Sequence, residues 1–131
     1  MHKQIYVNLP VSDLQKTRAF FSALGFTFEP RFSNDDAACM VVGENIFVML
    51  LTRPFYKTFT DKKIADTQEF TAVANCLSCE SRREVDDLVA RAQAAGGKVP
   101  RPPKDYGTMY GHGFEDLDGH NWELMYMEPA T

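Results

Sequence analysis

One order of predicted elements occurs twice along the chain, and this repeat constrains the fold more than any other feature. A strand pattern, a helix pattern and three short strand patterns follow one another over about residues 3–52 and again over about residues 71–128. Residues 53–70 between them are polar and mixed, as in a connecting loop. The sequence therefore predicts a single α+β domain, residues 1–131, made of two tandem βαβββ modules.

Helix caps support the duplication. Ser12 and Ser81 each stand where a helix pattern begins, and Glu84 completes a capping box with the second serine. Gly25 and Gly96 each stand where a helix pattern ends. Because each four-stranded sheet can pack its helix on one face, the two modules leave their other faces to curve around a cavity. We therefore expect a cavity between the two modules.

Alternation along the strands assigns side chains to faces. On the first strand, Tyr6 and Asn8 lie opposite a row of apolar residues. On the last strand, Glu123 and Met125 lie opposite Trp122, which is expected to pack on the helix. These assignments direct Tyr6, Asn8, Glu123 and Met125 toward the predicted cavity.

Charge and hydropathy exclude two classes of partner. The formal net charge is −4, and lysines and arginines are scattered rather than clustered, which argues against nucleic-acid binding. No apolar stretch approaches the roughly 20 residues that cross a bilayer. The N-terminus leads directly into a strand pattern rather than into a targeting segment. We predict a cytoplasmic protein that binds neither nucleic acid nor membranes.

Three cysteines make an odd count, which favours free thiols in a reducing compartment. Cys76 and Cys79 match the spacing of a redox Cys-x-x-Cys motif. On an extended strand, however, residues three apart point to opposite faces, so these two sulfurs are expected to be too far apart for a disulfide.

Several segments together resemble the glyoxalase, bleomycin-resistance and extradiol-dioxygenase superfamily, also called vicinal oxygen chelate proteins. They are Val7–Leu14, the helix end Phe20–Phe26, the turn Ala94–Gly97 and the run Phe114–Leu124. The resemblance covers essentially the whole chain and implies the fold and a homodimer. It does not specify a reaction, since this scaffold carries lyases, isomerases, dioxygenases and antibiotic-binding proteins.

The resemblance also implies where a metal ion would bind. Members with metal chemistry hold a divalent ion with side chains from the first and last strands of each module. The matching positions here are Tyr6, a residue within Val48–Leu50, Ala74 and Glu123. Of these, Glu123 alone matches the usual ligand set, and one carboxylate does not hold a catalytic cation. We therefore expect no metal ion and no other cofactor.

The remaining cavity is expected to be apolar, with a few convergent polar groups, as in a small-ligand pocket. Glu123 is the candidate acid or base, although it could instead hydrogen-bond to another cavity residue. His112 lies between two glycines that permit close approach of a ligand, with a surface histidine as the alternative. The predicted ligand-binding residues are Tyr6, Asn8, Leu50, Ala74, Tyr110, His112 and Met125.

Other residues offer weaker candidates. His120 follows the Asp118-Gly119 turn and is expected to be exposed there. A metal site made of His112, His120 and Glu123 lacks the geometry of the resembled family. The leading hypothesis is a protein that binds a small organic molecule without metal. The alternatives are a metal-dependent lyase, isomerase or dioxygenase with noncanonical ligands, and a protein whose cavity is vestigial and whose role is protein interaction.

Overall fold

A computed structural model describes residues 1–129. The chain divides into two compact units, Met1–Ala65 and Asp66–Thr131, called the first and the second unit below. Each unit contains one mixed four-stranded sheet with a helix. The predicted α+β fold with two βαβββ modules is confirmed. Residues 3–52 fall in the first unit and residues 71–128 in the second.

The first unit pairs its strands in the order β1-β4-β3-β2, with β1 parallel to β4. A short helix and a 3-10 turn follow the last strand, within the segment predicted as a connecting loop. Its elements are β1 (Ile5–Val11), α1 (Leu14–Ala23), β2 (Thr27–Glu29), β3 (Ala37–Gly43), β4 (Ile46–Thr52) and α2 (Arg53–Tyr56).

The second unit repeats this arrangement in the order β5-β8-β7-β6, with β5 parallel to β8. Its elements are β5 (Ala74–Cys79), α3 (Arg82–Ala94), β6 (Lys104–Asp105), β7 (Met109–Glu115) and β8 (Asn121–Met127). The helix pattern that ends at Gly96 was expected to lead directly into a strand near residues 98–100, and this is wrong, because Lys98 makes only an isolated bridge to Glu115. Prolines at 100, 102 and 103 cannot donate backbone hydrogen bonds, so regular pairing begins only at Lys104.

The caps of the two long helices differ. Helix α1 begins after Asp13 rather than Ser12, because the Asp13 carboxylate accepts a hydrogen bond of 3.0 Å from the backbone N–H of Lys16. Helix α3 begins after Ser81, as predicted. The Ser81 hydroxyl oxygen accepts from the backbone N–H of Glu84 at 3.0 Å. The predicted cap is therefore confirmed for α3 and shifted by one residue for α1.

Each helix packs on one face of its own sheet. In the first unit, Leu9, Val11, Val48 and Leu50 are buried on that face. In the second unit, Phe114, Trp122 and Leu124 are buried on the sheet face, and Val85 and Val89 are buried on α3. This burial supplies most of the driving force for folding of each unit. Among residues 1–129, no helix is long and apolar enough to cross a membrane.

Candidate functional site

The face of each sheet that lies opposite its helix is called the open face. Residues paired in register across neighbouring strands share a face, and successive residues alternate between faces. Glu123 of β8 is in register with Cys76 of β5 and with Gly113 of β7. Because the next residue, Leu124, is buried on the helix side, this row lies on the open face of the second sheet.

A cavity of about 590 Å³ lies over this open face. Strands β7 and β8 form its floor, and the segment Pro100–Lys104 and Tyr106 form a wall. Glu123, Met125 and Cys76 line it from the neighbouring strands. Of the predicted cavity residues, the structure thus brings Glu123, Met125 and His112 to one cavity.

Glu123 lies at the centre of the floor and is exposed to the cavity. A β-carbon built at Gly113 would lie 2.8 Å from both carboxylate oxygens of Glu123. Glycine at 113 therefore provides the space that this carboxylate occupies. Among residues 1–129, the Glu123 carboxylate makes no hydrogen bond or ion pair. Glu123 thus lines this cavity of the second unit, whereas its place in a cavity between the modules and its role as an acid or base stay predictions.

Cys76 stands beside Glu123 and was not predicted as a site residue. Desolvation of its thiol, and then the negative charge of Glu123, raise the pKa of Cys76 above its ordinary value. Cys79 lies on the opposite face, where burial and then the Glu84 carboxylate raise its pKa to about 11. All three cysteines are free, as predicted. The thiol of Cys76 is thus protonated at neutral pH but accessible from the cavity.

Tyr110 and His112 lie on the helix side of β7 by register, because they pair with Tyr126 and Leu124. The Tyr110 hydroxyl donates a hydrogen bond of 2.6 Å to Asp86 of α3, which raises the pKa of Tyr110. The structure therefore places Tyr110 away from the predicted cavity.

His112 lies at the edge of the cavity. Its Nε2 lies 3.0 Å from the backbone carbonyl of Arg101, and the residue is half-buried. This contact ties β7 to the cavity wall at Pro100–Lys104. His112 thus lines the cavity while its ring holds the wall in place.

The first unit places its predicted site residues on two different faces. Tyr6 is exposed on the open face, stacks on Phe47 with ring centroids 4.9 Å apart, and donates from its hydroxyl to Gln4 at 3.1 Å. Asn8 is exposed on the same face. Leu50 pairs with a helix-side residue and is fully buried, so it does not belong to this face. The neighbour of Asn8 on the open face is Met49.

Ala74 is exposed on the open face of the second sheet, where it pairs with Asn121.

Strand pairing identifies the residue of β4 that occupies, in the first unit, the position that Glu123 occupies in the second. Asn8 and Cys76 hold equivalent places in β1 and β5, and their partners are Met49 and Glu123. By the resemblance, the positions expected to hold a metal ion are thus Tyr6, Met49, Ala74 and Glu123. A phenol, a thioether, a methyl group and one carboxylate do not fit a catalytic divalent cation.

His120 is buried, with 9% of its surface exposed, so the expectation of an exposed turn histidine is wrong. The Asp116 carboxylate organises this turn. It accepts hydrogen bonds from the backbone N–H groups of Asp118 and His120 and from the indole N–H of Trp122, at 2.9 to 3.0 Å. Burial raises the pKa of Asp116. Within the described part of the chain, no three His, Cys, Asp or Glu side chains are grouped so that they could hold a metal ion.

Sequence reasoning missed the wall of the cavity and part of its floor. Register counting from Glu123 would have found Gly113, because both residues lie in strands with clear patterns. No periodic signal marks Arg101, Lys104 or Tyr106, which reach the cavity from an irregular segment. The expectation of a cavity between the two modules stays a prediction, since the cavity described above belongs to the second unit.

Comparison with known proteins agrees with this fold. The chain is 29% identical to hypothetical protein SA1046 from S. aureus, over 96% of this chain and 95% of that one, with a TM-score of 0.81. It is 20% identical to a glyoxalase-related enzyme from Fulvimarina pelagi, over 96% and 88% of the two chains, with a TM-score of 0.80. It is 22% identical to the fosfomycin resistance protein FosX from Listeria monocytogenes, over 96% and 93%, with a TM-score of 0.70.

No curated protein matches the chain. A family model, in contrast, matches residues 3–124, which span both units. The resemblance stated from the sequence motifs is therefore confirmed. The chain belongs to the Glyoxalase/Bleomycin resistance protein/Dioxygenase superfamily.

Proposed function

We propose that this protein binds a small organic molecule in the cavity over the open face of the second sheet, beside Glu123 and without the metal ion usual in its family. One observation carries the proposal: an exposed, unpaired carboxylate stands over a floor of bare glycine backbone. The cavity volume of about 590 Å³ lies within the roughly 300 to 1,000 Å³ of typical ligand pockets.

The lining supports the same conclusion. Met109, Met125 and Pro100 supply apolar surface, and Glu123 and Asn121 supply a few polar groups that can orient a ligand. Glycine at 111 lets a flat molecule approach the backbone closely, beside the Glu123 carboxylate that lies over Gly113. A site of this kind gains affinity from buried apolar area and specificity from its polar groups.

A thermal-shift screen of a small-molecule library, run in buffer containing EDTA, tests this proposal. Compounds that raise the melting temperature are then titrated by calorimetry with and without EDTA, and we expect equal affinity. The variant Gly111→Leu fills the cavity floor, since a β-carbon at Gly111 meets only the Leu124 carbonyl at an ordinary 3.5 Å. Binding should be lost in this variant and kept in the matched control Ala90→Leu on the exposed side of α3.

Elemental analysis of protein purified in plain buffer tests the absence of metal. One equivalent of nickel, zinc, iron or manganese, removed by chelation together with ligand binding, would contradict the proposal. That result would favour a metal-dependent lyase, isomerase or dioxygenase with noncanonical ligands instead.

The proposal also includes a homodimer, which the family resemblance implies, and a cytoplasmic location, which the sequence predicts. Sedimentation equilibrium at micromolar concentration should give twice the chain mass of 14.8 kDa. A monomeric mass would contradict the dimer, and recovery of the protein in a membrane or extracellular fraction would contradict the location.

A further inference from the structure

Charges of opposite sign are segregated across the cavity of the second unit. Glu115 and Glu123 line it from β7 and β8, and both lie on the open face because Glu115 pairs with Asn121. Arg101 and Lys104 line it from the opposite wall. The cavity therefore has an acidic side and a basic side.

Strand register gives the spacing of these charges. Lys104 is in register with Gly111, and Gly111 with Met125, so Lys104 stands two strands away from β8 on the same face. Neighbouring strands lie about 4.8 Å apart, which separates the backbone of Lys104 from β8 by about 10 Å. Between the two charges the floor includes the open backbone of Gly111, whereas the Glu123 carboxylate itself lies over Gly113.

None of the four charged side chains is satisfied within residues 1–129. The ion pairs of the described chain join Arg31 to Glu29 and Arg82 to Asp105 and Glu128, and they do not involve the cavity. Within the same residues, the charged groups of Glu115, Glu123, Arg101 and Lys104 make no hydrogen bond either; the bond from His112 reaches only the backbone carbonyl of Arg101. Acidic and basic residues thus line opposite sides of a gap that no ion pair of the described residues bridges.

We infer that the ligand of this cavity is amphoteric: a compact organic molecule whose protonated amine binds Glu123 and whose carboxylate binds Lys104, with its body lying on the glycine floor. The inference rests on the proposed function and names its ligand class. A neutral molecule would leave both charges unpaired, and a singly charged molecule would pair one of them. Only a molecule with both charges complements the two sides together.

Three matched probes separate these possibilities. 4-(Aminomethyl)benzoate carries both charges at opposite ends of a rigid ring, benzylamine carries only the amine, and benzoate carries only the carboxylate. Two-dimensional NMR titration reports binding at the backbone amides of Gly111 and Gly113. We expect each half-probe to bind at least about threefold more weakly than the amphoteric probe, the size typical of one exposed ion pair.

Charge-removing variants assign each end of the probe. Glu123→Gln should weaken 4-(aminomethyl)benzoate and benzylamine about threefold but not benzoate. Lys104→Gln should weaken 4-(aminomethyl)benzoate and benzoate but not benzylamine. Glu44→Gln and Lys63→Gln remove the same charges from exposed positions of the first unit and should change nothing. An unchanged pattern of amide signals elsewhere shows that each variant is folded.

The outcomes distinguish this inference from the proposed function. Equal affinity for 4-(aminomethyl)benzoate, benzylamine and benzoate would overturn the inference. It would also be overturned if Glu123→Gln weakened the binding of benzoate, or if Lys104→Gln weakened the binding of benzylamine. Failure of 4-(aminomethyl)benzoate to bind while neutral library compounds still shift the Gly111 and Gly113 amides would overturn it as well, and in each of these cases the proposed cavity would stand. If no probe and no library compound shifts these amides, the proposed function itself is overturned.

Discussion

The open faces of the two sheets share one pairing pattern but carry different side chains. In the first unit the central row across β1, β4 and β3 consists of Asn8, Met49 and Cys39. The equivalent row of the second unit consists of Cys76, Glu123 and Gly113. The next row pairs Leu51 with Ala37 in the first unit and Met125 with Gly111 in the second.

This difference is the reason why we place the proposed ligand on the second face. Ala37, Cys39 and Leu51 are buried at one end of these rows, whereas Met49 is half-buried and Asn8 is exposed. The second face has glycines at the equivalent places of β7, and an exposed carboxylate stands over them. A duplicated fold thus repeats the backbone pairing, whereas the side chains at a few paired positions determine whether a cavity forms.

Thiol reactivity gives the largest expected contrast between the two faces. Cys39 is fully buried in the first sheet, whereas Cys76 is exposed on the second. Iodoacetamide at pH 8 should alkylate Cys76 at least about 100-fold faster than Cys39, because a buried thiol reacts only after local opening. Peptide mass spectrometry over time measures both rates, and equal labelling of the three cysteines in urea is the control. Similar rates in the folded protein would show that the first face is also open.

The turns that join the last two strands of each unit also differ. In the first unit the turn is short, with exposed Glu44, and in the second it encloses buried Asp116. Asp116→Ala leaves three N–H donors without their acceptor and should lower the free energy of unfolding by about 2–4 kcal/mol. Glu44→Ala should change it by less than about 0.5 kcal/mol. Urea denaturation measures both, and equal effects would show that the Asp116 network does not hold the turn.

The same carboxyl group makes stability depend on pH. Burial raises the pKa of Asp116 in the folded state, so the folded protein binds this proton more tightly than the unfolded chain does. The part of the stability that depends on this proton is complete below the unfolded pKa of Asp116 and is lost as pH rises through the raised pKa, while the three accepted hydrogen bonds remain. Asp116→Asn should therefore flatten the stability profile on the acidic side of neutrality. A profile that keeps the wild-type slope in urea titrations would contradict this assignment.

The glycine floor can be tested by adding a single methyl group. A β-carbon at Gly113 would lie 2.8 Å from the Trp122 carbonyl oxygen as well as from the Glu123 carboxylate. Gly113→Ala should therefore lower the free energy of unfolding by about 1–3 kcal/mol. Gly111→Ala is the matched control, because its nearest contact is an ordinary 3.5 Å. Thermal denaturation compares the two variants. Equal melting temperatures would mean that β7 moves to accommodate the added methyl group without loss of stability.

Regular patterns made part of this architecture predictable. Alternation around Trp122 correctly directed Glu123 to the open face, and the capping box at Ser81 correctly began α3. The apolar run of β4 has no alternation, so its register cannot be read from sequence, and Leu50 was placed on the wrong face. On β7, by contrast, a signal was available, because Tyr110 lies an even number of residues from the buried Phe114 and must share its face.

The remainder of the site depends on contacts that are distant in sequence. The segment Pro100–Lys104 carries three prolines and no periodicity, so its position follows from packing against β7 rather than from local preference. The bond between His112 and the Arg101 carbonyl is one such contact. Charge segregation across the cavity could not be predicted, because it requires Lys104 and Glu123 to be placed on the same face by two strand pairings.

The smallest effect we predict concerns the electrostatic contact between Cys76 and Glu123. The negative charge of Glu123 disfavours the thiolate and contributes to the raised pKa of Cys76. Glu123→Gln removes this charge, lowers that pKa and should speed alkylation of Cys76 at pH 8 by about twofold to fivefold, as expected for a charge interaction of roughly 1 kcal/mol or less.

A pH–rate profile distinguishes this electrostatic effect from a change in access to the thiol. In Glu123→Gln the midpoint of the profile should move to lower pH while the limiting rate at high pH stays the same, because the same thiolate reacts. Greater access would instead raise the limiting rate and leave the midpoint in place. Glu44→Gln, on the first unit, should shift neither quantity. An unchanged midpoint in Glu123→Gln would show that Glu123 and Cys76 do not interact across β8 and β5, and would remove Cys76 from the candidate site.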